Sequence, residues 1–289
     1  MRKIVSFLIT SNIFISLAAV FLTIETQMQL GMKPQWHPYL FIIFFATLFD
    51  YNLHRFITVL TNKDALDEEK HRWVKKYPNR FYLLVAFSVI GFAIAIIFAK
   101  KEVLYTLAPM ALITSFYSLP LFKNRRVSFR LREIPFAKIF LISFVWSAVT
   151  ILLPIIQSED SYDKGHVGLM LLERFLFVFA ITIPFDIRDM VSDGIDRLKT
   201  IPLTIGEKKS ILLATILLVI FILISVFHYA QSQQFYILFA LVISGLSTLF
   251  AINSRKLQGH SYYHYGILDG TMLLQGLLVY ISYYLQAFL

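Results

Sequence analysis

The chain has 289 residues, of which 57% are hydrophobic and 16% are charged, and its mean hydropathy is +0.67. Soluble domains are roughly 45–50% apolar and about 25% charged, so this composition predicts an integral membrane protein and excludes an ordinary soluble enzyme. The absence of cysteine excludes disulfides, thiolate catalysis and cysteine-ligated metal centres, whereas the formal net charge of +9 must be judged by its distribution along the chain.

Nine apolar runs follow one another, each close to the roughly 20 residues that a bilayer-spanning helix needs. In chain order they cover approximately residues 4–24, 38–60, 81–99, 103–122, 135–156, 167–185, 210–229, 233–252 and 265–288. A transmembrane barrel would show short alternating segments instead. We therefore predict an all-α polytopic membrane protein with nine transmembrane helices, forming a single domain over residues 1–289.

The first run follows Met1, Arg2 and Lys3, as the apolar part of a signal peptide would. It is longer than the roughly 7–15 residues of a signal h-region, and no convincing cleavage site follows it. These features favour a retained first helix.

The basic residues assign the sides of the membrane. Most of the 27 lysines and arginines lie at the N-terminus or in the loops after the second, fourth, sixth and eighth runs. The positive-inside rule then places the N-terminus in the cytoplasm and the C-terminus outside, which we assign to a bacterial inner membrane. Because orientation explains the basic charge, we expect the lipid bilayer and no nucleic acid as a partner. The loop over residues 61–80 carries both signs and is either a solvated connector or a lid.

The most polar stretch, residues 185–206, begins where the sixth run ends and reads FDIRDMVSDGIDRLKTIPLTIG. Asp186, Asp189 and Asp193 stand at i, i+3 and i+7, so a helix would align them on one face. Carboxylates stacked at the edge of a membrane repel one another and are poorly solvated, which favours a bound cation. Oxygen donors of this kind suit Mg²⁺.

Basic residues are interleaved with these aspartates, at Arg188, Arg197 and Lys199. A cluster that holds both signs suits a metal ion together with a polyanion such as a diphosphate. The alternative is that the aspartates only form surface salt bridges with Arg188 and Arg197.

A second polar cluster stands near the end of the second run, in LFDYNLHRFITVL. Asp50 and His54 are at i and i+4 and share a helix face. This cluster and the aspartate stretch are four helices apart, which predicts two pseudo-repeats, about residues 1–122 and 135–252, followed by helix nine. Their polar clusters would face one cytoplasm-facing cavity. Alternatively, His54 is a helix-end residue bonded to a neighbouring helix, and Asp50 pairs with Arg55 or an ion.

Between the two clusters, the fourth run ends in SFYSLPLFKNRR, where Pro120 breaks the helix. Tyr117 and Lys123 stand close enough to the membrane edge to reach into a cavity. The two arginines that follow fit the positive-inside pattern alone. Lys138, at the start of the fifth run, fits either role.

Together these motifs resemble the UbiA-type intramembrane prenyltransferase family, which has nine transmembrane helices and two aspartate-rich motifs, after helices 2 and 6. DIRDMVSD, followed by DRLKTIPLTIG, is similar to the family's second motif, D-x-x-D-x-x-x-D or N-x-R-D-x-x-x-D. YSLPLFK resembles the family's Tyr-x-x-Pro-x-x-Lys, and the resemblance covers essentially the whole chain. The first motif departs from the family's N-x-x-x-D-x-x-x-D, because Asp50, His54 and Thr58 stand at those spacings.

The resemblance implies Mg²⁺-dependent transfer of a prenyl group from an isoprenoid diphosphate to an aromatic or lipid acceptor within the membrane. A quinone head group, a haem, a tetrapyrrole and a lipid precursor all remain open as acceptors. The implied metal ligands are Asp186, Asp189 and Asp193. The implied catalytic residues are Asp189, Asp193, Arg188, Lys199, Tyr117 and Lys123. The implied substrate-binding residues are Asp50, Asn52, His54, Lys138 and Asp196.

The altered first motif leaves two alternatives open, because imidazole is a poor ligand for Mg²⁺. Either one Mg²⁺ is lost and a protonated His54 touches the diphosphate, or the chain is a non-catalytic isoprenoid- or quinone-binding protein derived from the family. An ion-coupled transporter is disfavoured, because the aspartates lie at the membrane edge and not at its midplane.

Four further polar residues lie at helix ends, in loops or within the ninth run. We expect His228, His260 and His264 to be interfacial residues. Asp269 either contacts the acceptor or packs against a polar partner.

Overall fold

The computed structural model describes residues 2–61, 69–119, 122–124 and 127–286, and these are almost entirely helical. The α-helices are α1 (Arg2–Thr10), α2 (Ile13–Gln29), α3 (Pro38–Thr61), α4 (Glu69–Lys76), α5 (Pro78–Ile97), α6 (Lys101–Ser118), α7 (Ala137–Ser158), α8 (Lys164–Arg188), α9 (Met190–Ile195), α10 (Ile201–Ile205), α11 (Glu207–Gln231), α12 (Phe235–Asn253), α13 (Arg255–Gln258) and α14 (Asp269–Leu285). A 3₁₀ turn precedes α7, and a π-helix, Tyr263–Leu268, leads directly into α14. The predicted helical class is confirmed.

Seven helical segments of the described chain are long and apolar enough to cross a membrane: α3, α5, α7, α8, α11, α12 and the joined π-helix and α14. An eighth is possible if α1 and α2, which meet at an angle of 77°, form one broken span. This agrees with an integral membrane protein. Helix α6 covers the fourth predicted run but is not among the seven, so the predicted number of nine spans is not confirmed.

A short antiparallel hairpin replaces part of the predicted loop after α6. Strand β1 (Phe122–Asn124) pairs with β2 (Val127–Phe129), with Phe122 opposite Phe129. The predicted helix end at residue 122 is therefore four residues late, because α6 ends at Ser118. The side chain of Lys123 lies outside the part of the chain that the structure describes.

The first predicted run is bent. Asn12 adopts a left-handed backbone conformation with φ 65°, which ends α1 before α2 begins. Helix α3 holds the break: the Asn52 amide donates to the Ser11 carbonyl at 3.1 Å, and the Arg55 guanidinium donates to the Asn12 side-chain oxygen at 2.5 Å and to the Thr10 carbonyl. The run for which the sequence predicted one helix is therefore divided between α1 and α2.

Helix α2 lies at the centre of the bundle and is buried on nearly all sides, between α14, α3 and α7. Its close approach to α14 depends on Gly276. A Cβ added there would lie 2.5 Å from the Phe21 carbonyl oxygen of α2. Helix α8 packs between α7 and α11, and this arrangement fixes the end of α8, where the aspartate stretch begins.

A buried ion pair joins α2 to α8 far from the aspartates. Arg174 Nη2 lies 2.8 Å from Glu25 Oε1, and the two side chains are 2% and 0% exposed. Gln275 of α14 donates to the same Glu25 oxygen at 3.0 Å. Arg174 and Asp186 are separated by about 18 Å along α8, at 1.5 Å per residue.

A second polar pair lies beside this one. His228 Nδ1 of α11 is 2.9 Å from Glu173 Oε1 of α8, and His228 Nε2 is 2.7 Å from His166 Nδ1. His228 lies in the last turn of α11, near a helix end as the sequence indicated, but it is only 4% exposed and is bonded inside the protein. The hydrogen bonds accompany this burial, because a buried polar side chain needs such partners.

Candidate active site

The three aspartates of the DIRDMVSD motif lie where α8 turns into α9. Asp186 is in the last turn of α8 and is 2% exposed, and Asp193 is in α9 and is 7% exposed. Asp189 ends α8 and precedes α9, and its backbone N–H donates to the Phe185 carbonyl at 3.0 Å. Because the chain stays nearly helical through this junction, all three carboxylates remain on one side.

All three carboxylates converge on the ammonium of Lys138. Its Nζ lies 2.9 Å from Asp186 Oδ1, 3.3 Å from Asp189 Oδ2 and 2.9 Å from Asp193 Oδ2. The Lys138 side chain is 14% exposed. The sequence left the role of this lysine ambiguous, and the structure places it at the centre of the cluster.

The backbone before Lys138 is fixed by an unusual conformation. Phe136 precedes α7 with φ 63°, in the left-handed region that bulky residues rarely adopt. Its N–H donates to the Lys199 carbonyl at 2.9 Å, which ties the start of α7 to the loop after α9. Such strain costs about 1–3 kcal/mol and persists only where the surroundings enforce it. Here it sets the position of Lys138 against the aspartates.

Arg188 is oriented by one aspartate and two rings. Its Nε donates to Asp189 Oδ1 at 2.8 Å, and its guanidinium lies 4.8 Å from the centre of the Tyr265 ring and 5.4 Å from that of Phe185. Burial alone would raise the pKa of the Asp189 carboxyl, but the charges of Arg188 and Lys138 outweigh it and lower this pKa below its ordinary value. Asp189 is therefore ionised at neutral pH.

Two tyrosines interact electrostatically with charged residues of the aspartate cluster and of the first motif. Tyr117 of α6 lies within electrostatic range of Lys138 and Asp186. Tyr51 of α3 interacts in the same way with Tyr117, and also with Asp50 and Asp269. The role of Tyr117 stays a prediction; Tyr51 has no signal in the sequence other than its position directly after Asp50.

Other predicted site residues lie in different surroundings. Asn52 is fully buried and its amide bonds to Ser11, Asn12 and Leu48, so its hydrogen-bonding capacity is used inside the protein in this structure. Its role as a substrate ligand stays a prediction. Lys199 is exposed. The Asp196 side chain is 57% exposed and lies 3.9 Å from Arg132.

The first motif is described only in part. Asp50 and His54 are partly buried in the second half of α3. The Thr58 side chain lies outside the part of the chain that the structure describes.

Within the described residues, no three acidic or histidine side chains are arranged as a ready-made metal site. The three aspartates are closed around Lys138 instead. Even so, three carboxylate oxygens lie within 3.3 Å of one point, in a largely buried position. Oxygen donors are the ligands that hard divalent cations prefer, so this donor set fits such an ion in place of the ammonium.

Comparison with known proteins identifies the family. The model of the UbiA prenyltransferase family matches residues 78–261. No similar sequence was found among curated proteins.

Three solved structures share the fold. A UbiA homolog from Archaeoglobus fulgidus has a TM-score of 0.61 at 13% identity, covering 93% of this chain and 95% of that one. The same homolog bound to Cd²⁺ has a TM-score of 0.56 at 14% identity, covering 92% of this chain and 96% of that one. A structure of digeranylgeranylglyceryl phosphate synthase has a TM-score of 0.53 at 16% identity, covering 98% of this chain and 99% of that one. The fold and the family match over residues 78–261 agree, and the chain belongs to the UbiA prenyltransferase family.

Proposed function

We propose that this protein transfers a prenyl group from an isoprenoid diphosphate to an aromatic or lipid acceptor within the membrane. Asp186, Asp189 and Asp193 would hold Mg²⁺ for this reaction. The observation that carries the proposal is the convergence of these three carboxylates within 3.3 Å of one point, in a chain of this family. A related structure with Cd²⁺ supports a divalent cation, and the fold shared with a structure of digeranylgeranylglyceryl phosphate synthase supports a lipid acceptor.

The reaction begins when the C–O bond between the prenyl chain and the diphosphate breaks. The bonding electrons leave with the diphosphate, so negative charge grows on its oxygens. The bound metal would neutralise part of this charge. Arg188 is held in place by Asp189 and Tyr265, and such preorganised cations stabilise a leaving group without further rearrangement. We propose that three lysines also stabilise the charge on the leaving diphosphate: Lys138, Lys199 and Lys123.

The prenyl group becomes an allylic cation, which aromatic rings stabilise through their electron-rich faces. Phe185 and Tyr265 flank the guanidinium of Arg188, and Tyr117 interacts electrostatically with Lys138 and Asp186. The acceptor then forms a bond to the cation and loses a proton. Water must be excluded until that bond forms, because it would otherwise trap the cation.

The first motif contributes Asp50 and His54 to the proposal. A protonated His54 would contact the diphosphate in the place of a second metal ion. The presence of His54 where the family's first motif has an aspartate also supports the alternative function, a non-catalytic protein that binds an isoprenoid or a quinone. The two functions differ in one observable: only the transferase releases pyrophosphate.

The metal assignment is tested by substitution. Asp193→Asn keeps the size of the side chain but removes a charge, and should reduce Mg²⁺-dependent turnover at least about 100-fold, as losses of charge stabilisation in active sites do. Asp160→Asn, at an exposed loop residue after α7, is the matched control and should leave turnover unchanged. Turnover of Asp193→Asn equal to that of the wild type would show that the metal assignment is wrong.

A further inference from the structure

Lys138 is bound by its surroundings far more completely than a surface lysine is. An ammonium has three N–H donors, and each of the three aspartates places one oxygen 2.9 to 3.3 Å from Nζ. The side chains of Asp186 and Asp193 are 3% and 9% exposed, so water screens these contacts poorly. Lys138 therefore acts as the cation of a nearly closed carboxylate site.

The cluster still carries excess negative charge. Three carboxylates face Lys138 and the guanidinium of Arg188, so one negative charge within this group is not compensated. A divalent cation in place of the ammonium would bring the charge of this group to zero. A divalent ion would need the same carboxylate oxygens that Lys138 occupies, and it would repel the ammonium at that distance.

A lysine can move out of such a site more readily than an arginine, because its charge is compact and its four-carbon stem is flexible. The backbone at Lys138 is restricted in its movement, because the nearby Phe136 N–H donates a hydrogen bond to the Lys199 carbonyl. Movement is thus confined to the side chain.

We propose that Lys138 is a tethered counter-ion that competes with the divalent cation for Asp186, Asp189 and Asp193, and that it moves to the diphosphate when cation and diphosphate bind together. The cation alone then binds weakly, because it must displace Lys138 into a position without an anion. With the diphosphate present, the displaced ammonium gains a new anionic partner. Metal and diphosphate therefore bind synergistically. The inference rests on the proposed function only for the three aspartates as cation ligands.

A purely structural salt bridge makes the opposite prediction for metal binding. If Lys138 only holds the aspartates in position, its removal disorders the carboxylates and weakens the binding of a divalent cation. If it competes, its removal strengthens that binding. The sign of the change separates the two roles.

The test measures Mn²⁺ binding to the protein in lipid nanodiscs by electron paramagnetic resonance. Lys138→Met should bind Mn²⁺ about tenfold or more tightly than the wild type, because it loses a competing charge at 2.9 Å. Lys138→Arg retains that charge and should stay within about threefold of the wild type. Lys208→Met removes an exposed lysine in the first turn of α11 and is the control for charge alone, with no change expected.

A second measurement uses a non-cleavable farnesyl thiolodiphosphate at saturating Mn²⁺. Lys138→Met should bind this analogue about tenfold more weakly, because the ammonium that would contact the diphosphate is gone. Tighter metal binding combined with weaker diphosphate binding is the signature of the exchange. In thermal unfolding, Mn²⁺ should also stabilise Lys138→Met more than it stabilises the wild type.

Mn²⁺ binding to Lys138→Met that is equal to or weaker than wild-type binding would overturn the inference. If that variant does not fold, acylation of Lys138 in the wild type, followed by mass spectrometry, decides instead. Mn²⁺ with the analogue should change the acylation rate of Lys138, and an unchanged rate overturns the inference. Absence of Mn²⁺ binding in every variant would instead refute the proposed metal site, so the two failures are distinguishable.

Discussion

The buried ion pair between Glu25 and Arg174 provides a stability test that is independent of catalysis. Arg174 donates to Glu25 at 2.8 Å, to the Leu22 carbonyl at 2.9 Å and to Thr150 Oγ1 at 3.3 Å. Arg174→Met has a similar length but removes every one of these donors. It leaves the Glu25 carboxylate, which is 0% exposed, without its cation.

Removal of one partner from a buried pair costs about 3–5 kcal/mol, because the remaining charge is desolvated without compensation. We expect Arg174→Met to lower the free energy of unfolding by this amount, measured by chemical denaturation in detergent micelles. Glu25→Gln combined with Arg174→Met should recover most of the loss, because no buried charge remains. Lys100→Met, which breaks the surface pair with Glu159, is the control and should change stability little.

A loss below about 1 kcal/mol for Arg174→Met would contradict a charged, desolvated Glu25. It would show that Glu25 takes up a proton or reaches water at little cost. An equal loss in the single and double variants would also contradict it, because the cost would then come from packing and not from charge.

Three further predictions concern the packing and chemistry of the bundle. Gly276→Ala should cost about 1–3 kcal/mol of unfolding free energy, because its Cβ would lie 2.5 Å from a backbone oxygen of α2; Gly168→Ala, with open space around it, should cost nothing. Arg188→Lys should lower kcat for prenyl transfer about tenfold while keeping the charge, because an ammonium cannot reproduce the oriented guanidinium; unchanged kcat would contradict the role of Arg188. The pKa of Asp189 is lowered on folding, so its ion pairs stabilise the fold fully above its unfolded pKa, about 4, and this contribution is lost as the pH falls through the lower folded value. Asp189→Asn should therefore lose less stability than the wild type as the pH falls below about 4. The midpoint of thermal unfolding, measured as a function of pH, checks this.

The sequence predicted the features that depend on local spacing. Helical periodicity placed Asp186, Asp189 and Asp193 on one face, and the structure brings them to one point. The convergence on Lys138 could not be predicted, because it joins residues about 50 positions apart, as in the Lys138–Asp189 pair. Only the packing of α7 against α8 brings them together.

Hydropathy averaged over a long window did not reveal the buried charges of α8 or the bend between α1 and α2. Glu173 and Arg174 lie inside the sixth apolar run, where many apolar neighbours outweigh two charges in any long window. Their partners come from α2 and α11, so no local pattern revealed the network. Similarly, Ser11 and Asn12 interrupt the first run, and this polar pair was the available signal for the bend between α1 and α2.

The most direct test of prenyl transfer is to measure pyrophosphate release by the purified protein in lipid. Geranyl, farnesyl and longer prenyl diphosphates would be supplied with and without Mg²⁺, together with a panel of aromatic and lipid acceptors. A prenyltransferase with the proposed metal site releases pyrophosphate only when both Mg²⁺ and one class of acceptor are present. Tight binding of a prenyl diphosphate without release across the whole panel would contradict prenyl transfer, and would assign the chain to the non-catalytic alternative.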